Sequence, residues 1–153
     1  MLELFKRNLR DPDKGYRLAA AEGIGRVGEA SLVEEVSRTF LIEKDTGAQI
    51  AQSFALYRLG RKEFMEKLLI ALAERMYHEQ ATAYLVEMGP SVIPDLVHNL
   101  NHENAVVREK LCAVLGLIGD SSTIEQLKPL LRDSNPRVAS EAALAIRRLG
   151  AGS

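Results

Sequence analysis

A glycine closes an apolar helical run at Gly28, Gly60, Gly89, Gly119 and Gly150, so the steps are 32, 29, 30 and 31 residues. A signal repeated at so even a period marks an array of like units, because one such unit cannot bury its apolar face alone and must stack on its neighbours. The residues ahead of each glycine repeat as well. One position before stand Val27, Leu59, Met88, Ile118 and Leu149, and four before stand Ile24, Leu56, Leu85, Leu115 and Ile146. Eight and seven before are the pairs Ala20 and Ala21, Gln52 and Ser53, Ala81 and Thr82, Leu111 and Cys112, Ala142 and Ala143. These offsets keep to one face of a helix. The mostly small pairs permit close packing, and glycine suits the point where the last carbonyls turn in a left-handed cap.

Fifteen residues before four of the glycines stand Asp13, Asp45, Asn104 and Asn135, all good N-caps, the last followed by Pro136, a favoured first helical residue. The third repeat has Glu74 there, inside IALAERMYHEQA, so its two helices are expected to join through a tighter or partly helical bend. Each capped helix follows another apolar helix, over 2–10, 31–42, 62–73, 91–100 and 123–132. No segment alternates as a strand would. Aromatic content of 5% and the absence of Trp fit a core of Leu, Ile, Val and Ala between helices about 8–10 Å apart. The expected fold is therefore all-α, a right-handed α-solenoid of ten helices in five hairpin repeats. The repeats cover 1–28, 29–60, 61–89, 90–119 and 120–150, as a single domain over 1–150. Residues 151–153 are left as a tail whose final Gly-Ser resembles a cloning scar.

Hydrophobic residues at 46% and charged residues at 27% suit a folded globular chain. Twenty basic residues against 21 acidic ones give a net charge of -1, which offers no global attraction for nucleic acid or an acidic membrane. The single Cys112 rules out an intramolecular disulfide, and MLELFKRNLRDPDKG lacks the apolar core of a signal peptide, so a cytoplasmic location is expected. No stretch approaches the 18 or so uninterrupted apolar residues of a membrane span.

The segments LRDPDKGYRLAAAEGIGRVGEA, GLIGDSSTIEQLKPLLRDSNPRV and LRDSNPRVASEAALAIRRLG resemble the HEAT-like repeats first grouped with phycobilisome (bilin) lyases, and the likeness covers nearly the whole chain. The resemblance implies HEAT-like helical hairpins whose second helices line a concave surface. It implies less about function, because repeats of this type serve as scaffolds, regulatory subunits, chromophore lyases and, in one metalloenzyme family, an iron site.

Residues 23–28 spell GIGRVG, a formal match to the dinucleotide fingerprint. That motif works between a strand and the start of a helix, where backbone amides meet a pyrophosphate. Here the glycines end a helix, and Gly25 falls at the same offset as Gly116 of the fourth repeat. The pairs His78-Glu79 and His102-Glu103 invite comparison with deoxyhypusine hydroxylase, a HEAT-repeat enzyme whose His-Glu pairs in four repeats hold two irons. By that resemblance the histidine belongs ten residues before the closing glycine, yet His78 is eleven before Gly89 and His102 is seventeen before Gly119. One residue of slip is about 100 degrees around a helix, and a di-iron site needs ligands converging from several helices. His98 and His102 share a four-residue spacing, but the helix is expected to end between them, and no third soft ligand lies near. No metal and no cofactor are expected. Cys112 aligns with Ala21, Ser53, Thr82 and Ala143, small residues of the packing face, and reads as a buried structural thiol rather than a nucleophile.

Two further columns face away from the seam. Eleven before each glycine are Arg17, Gln49, His78, Arg108 and Ala139, and two before are Arg26, Arg58, Glu87, Leu117 and Arg148. By the resemblance these columns touch a partner. For Arg17 and Arg108 the structural alternative weighs more, an ion pair tying neighbouring repeats through an aspartate such as Asp11 or Asp133. The reading is a non-catalytic scaffold or regulatory module that binds another protein on its concave face, with no catalytic residue assigned. A chromophore-lyase-like accessory subunit is the alternative, and a nucleic-acid binder, which the balanced charge argues against, the further one. Leu144 lies about 200 degrees from Ala142 around the last helix, so apolar surface is expected on the end layers, marking end-to-end self-association, docking on a partner, or a chain cut from a longer repeat array.

Overall fold

The computed structural model describes residues 1–151. Its helices are α1 Leu2–Asn8, α2 Lys14–Val27, α3 Val33–Ile42, α4 Thr46–Arg58, α5 Met65–Ala73, α6 His78–Met88, α7 Ile93–His98, α8 Ala105–Ile118, α9 Ile124–Leu127 and α10 Pro136–Ala151. Among the described residues there is no strand. The all-α architecture is the one the sequence predicts, with first and second helices alternating along the chain. Two compact units divide it, one over Met1–Ala71 and the other from Leu72 to the end of the described chain.

In the first unit α1 packs on α2, α3 on α4, and the second helices α2 and α4 on one another. The small residues of the repeat make that last contact close: Ala20, Ala21, Ala48, Ala51 and Ala55 are buried, with Ile24, Phe54 and Leu56 filling the space between. Gly25 is required there, because a methyl at its Cβ would stand 2.7 Å from the Phe54 ring and 3.2 Å from the Ala55 Cα. The second unit repeats the plan. Helix α8 packs on α6, α7 and α10, over Val107, Leu111, Leu115, Val138, Ala142 and Leu149. Gly116, the counterpart of Gly25, lies 3.3 Å by its virtual Cβ from the Ala145 Cα. The paired glycines of GIGRVG and its counterpart therefore serve helix contact, not a phosphate.

The caps form as expected. Asp13 accepts from the Gly15 amide, Asp45 from Ala48, Asn104 from Val106 and Asn135 from Arg137. At Glu74 the chain makes the helical bend anticipated, with the His78 amide bonding the Glu74 carbonyl at 2.9 Å before α6 begins. Gly28 and Gly119 adopt the left-handed cap, and Gly60 closes α4 with a positive φ while the Arg61 amide bonds the Leu56 carbonyl at 2.9 Å.

Three details depart from the sequence pattern. Gly150 lies inside α10 and does not cap it. Gly89 has positive φ but an extended ψ of -147°, since Pro90 follows and starts the next turn. Val27 is 51% exposed despite its place in the apolar column, because it falls in the last turn of α2 and beyond the seam that buries Ile24. The first helices also carry a regularity the sequence did not suggest. Four of them open with a 3-10 turn, at Ala30–Leu32, Lys62–Phe64, Gly89–Val92 and Ser121–Thr123. Helix α9 gives way to a second such turn at Lys128–Arg132, where Pro129 lacks the amide that would continue an α-helix.

Candidate functional site

Arg17 stands in the first turn of α2, where its side chain reaches the end of α3. Its Nε and Nη2 donate to the two carboxylate oxygens of Glu43 at 2.8 and 3.0 Å, and Nη1 donates to the carbonyls of Asp11 and Pro12 at 2.8 and 2.9 Å. Glu43 is buried and also accepts from the amides of Lys44 and Asp45 and from Nε2 of the fully buried Gln52. Burial alone would raise the Glu43 pKa, but the Arg17 guanidinium and these amides outweigh it and hold the carboxyl below its usual range. Gln49 completes the corner by donating to the Glu43 carbonyl at 2.6 Å. In the second unit Arg108 repeats the arrangement. Its Nε and Nη2 meet Asp133 at 2.9 and 3.1 Å, and Nη1 donates to the carbonyls of His102 and Glu103. The Arg108 bond and the Asn135 amide hold Asp133 below its ordinary range. The Arg108–Asp133 tie is the one anticipated from sequence. For Arg17 the acid is Glu43; Asp11 contributes its backbone carbonyl, and its carboxylate accepts from the Asp13 amide instead.

The outer column behaves differently. Arg26, Arg58, Glu87, Leu117 and Arg148 are all exposed. In the first unit Arg58 donates to the Gly25 carbonyl at 3.2 Å, and Arg26 stands 3.8 Å from Glu22. In the second unit the Arg148 stem lies over Gly116, next to Leu117, which is 53% exposed. At Gly116 the missing Cβ leaves room for the Arg148 stem, whereas at Gly25 that room is taken by the Phe54 ring and Arg58 bonds the backbone carbonyl.

The remaining candidates stand apart. His78 begins α6, half-buried, in a small polar groove of about 250 Å³ with Glu109 and Arg137. His98 is the last residue of α7, so the helical face shared with His102 is broken there, and His102 Nδ1 accepts from the Asn104 amide. Among the described residues no three His, Cys, Asp or Glu side chains are grouped to hold a metal ion. Cys112 is fully buried, and its thiol is pushed up to about 12 by burial first and then by the carboxylates of Glu141 and Asp133. Leu144 is half-buried on α10. No described helix is long and apolar enough to cross a membrane.

These features define a protein of stacked helical hairpins with exposed side-chain columns. Residues 93–152 match the family model for HEAT repeats, which supports reading the chain as a HEAT-like repeat protein. Among solved structures it is similar to a crystal structure of an engineered protein from a structural genomics consortium. The two share 19% identity over 97% of this chain and 78% of that one, with a TM-score of 0.42. No curated protein gives a significant match.

Proposed function

We propose that the chain is a non-catalytic protein-interaction module, a scaffold or regulatory element, that receives a partner protein on the outer side of its second helices. One observation supports this above others: the column two before each closing glycine is exposed in every repeat. Separate arginine, glutamate and leucine side chains set on rigid helices suit the recognition of a surface, at little ordering cost when a partner docks. They offer no nucleophile poised beside a base. Arg17 and Arg108 belong to the scaffold, as ties between repeats. Contact between end layers through α1 and α10, with Leu144 on the latter, is a second way the module joins other chains.

The test is affinity purification with mass spectrometry, comparing the wild type with Arg58→Glu and Arg148→Glu. A stoichiometric protein partner, held by the wild type and lost from at least one variant, is the expected result. A partner held equally by both variants would move the contact off this face. A gain in visible absorbance on mixing with a bilin would make the chain a lyase-like accessory subunit instead.

A further inference from the structure

The last turn of α3 breaks the pattern of its own helix. Val36 and Thr39 are buried, yet Leu41 and Ile42 are 81% and 78% exposed. Two consecutive large apolar side chains in water at the end of an amphipathic helix have no role in its packing. Ile42 forms one wall of an open groove of about 570 Å³ that runs between the ends of α1 and α3, with the buried Leu9 at its base. That volume lies within the range of about 300–1,000 Å³ usual for ligand sites.

The charge around this groove is lopsided. Arg10 enters from the connection after α1, and Arg38 and Lys44 enter from the end of α3. Arg10 and Arg38 share one carboxylate, that of Glu35, at 2.9 and 3.3 Å. Lys44 has no ion pair among the described residues. Arg17 and Glu43, also in the wall, satisfy one another. Asp11 also lines the groove, its carboxylate accepting from the Asp13 amide. With Glu35 counted, four cations face three carboxylates, so positive charge is in excess by one here on a chain whose net charge is -1.

We propose that this groove takes a short extended segment of a partner protein, one that sets an apolar side chain against Leu9 and Ile42 and places acidic residues beside Arg10, Arg38 and Lys44. This inference rests on the protein-binding reading and adds a second contact to it, at the loop edge of the first unit. A peptide fits better than a small amphipathic acid for a geometric reason. The cations are spread over both walls instead of converging on one point, and the exposed Leu41 lies outside the groove's lining, where only an occupant that continues beyond the groove covers it.

The test starts from a displayed library of random twelve-residue peptides selected on the full chain. Enriched peptides should share an apolar residue flanked by Asp or Glu. The strongest, made synthetically and followed by fluorescence anisotropy, should bind about tenfold more weakly to Ile42→Asp and to the double variant Arg38→Gln, Lys44→Gln. All the replaced side chains are exposed, so both variants should keep the wild-type circular dichroism spectrum and melting point. Selected peptides without the acidic and apolar signature would overturn the proposal. So would affinities that neither variant changes, or dodecanoate displacing the peptide and saturating the groove by itself. Peptides whose amide-shift footprint falls on the second helices would remove this site and leave the protein-binding reading standing, whereas no enrichment at all would count against both.

Discussion

Glu43 receives five hydrogen bonds on one carboxylate, two from Arg17, one from Gln52 and two from backbone amides. Replacing it with alanine strips the last partner from a fully buried Gln52, whose Oε1 is already without one. Glu43→Ala is expected to cost about 1–3 kcal/mol, the usual penalty for leaving buried polar groups unsatisfied, as read by urea unfolding near neutral pH. The carboxyl is held below its ordinary value in the fold, so the unfolded chain binds the proton more readily. The stability it adds is complete above the ordinary carboxylate range and is lost as pH falls through and below about 4. Wild type and variant should converge in stability as pH falls below the ordinary carboxylate range, and a gap that widened on acidification would contradict the assignment. Cys112 makes the opposite point, since burial raises its thiol to about 12 and leaves little nucleophilic thiolate at neutral pH. A thiol reagent is expected to label the native protein about 100-fold or more slowly than the chain in urea; rapid native labelling would show that the small-residue column is open. The Cys112 environment was legible in the sequence because its repeat counterparts are small. The partner of Arg17 was missed although Glu43 stands 17 residues before Gly60, the offset at which Asp133 precedes Gly150; the acid is a glutamate in that repeat, and nothing local indicates that Asp11 is already engaged with the Asp13 amide.

At the scale of helices, the second helices were the readable ones. Asp13, Asp45, Asn104 and Asn135 cap them, and small residues or glycine at fixed offsets set how near they approach. Gly25 carries the sharpest consequence, since a methyl group there meets a ring at 2.7 Å and a neighbouring backbone at 3.2 Å. Gly25→Ala gains helix propensity of up to about 1 kcal/mol but should lose about 1–3 kcal/mol to overpacking. A lowered melting temperature is therefore expected. Gly150→Ala, helical and with open space at its Cβ, should leave it equal or higher. An equal gain from both substitutions would mean that α2 and α4 do not approach closely. The first helices were read less well. Their bounds follow from apolar spacing, but the 3-10 turns that open four of them depend on local bonds such as the Ser31 amide to Glu29 and the Ser122 amide to Asp120. Such two-residue capping leaves no periodic trace. The exposure of Leu41 and Ile42 was not legible either, because in the run Phe40-Leu41-Ile42 they pass for core residues of a first helix.

For the molecule as a whole, five repetitions of one pattern specify the fold far more strongly than they specify a task, because the residues that recur are those that pack. The columns proposed for recognition vary from repeat to repeat and carry no signature that sequence alone can weigh. The half-buried Leu144 and the 46% exposed Leu4 make the end layers testable as contact surfaces. Leu144→Glu is expected to keep the helical fold while reducing any concentration-dependent association in sedimentation velocity; a wild type that stays monomeric throughout would remove this contact. The most direct measurement of the central claim is site-specific photo-cross-linking to the copurified partner. A photoreactive residue would replace Arg58, Leu117 or Arg148 on the second helices and, in parallel, the exposed Lys67 or Glu125 on the first helices. The account predicts adducts from the second-helix positions and none from Lys67 or Glu125. Adducts from the first-helix positions alone would contradict it.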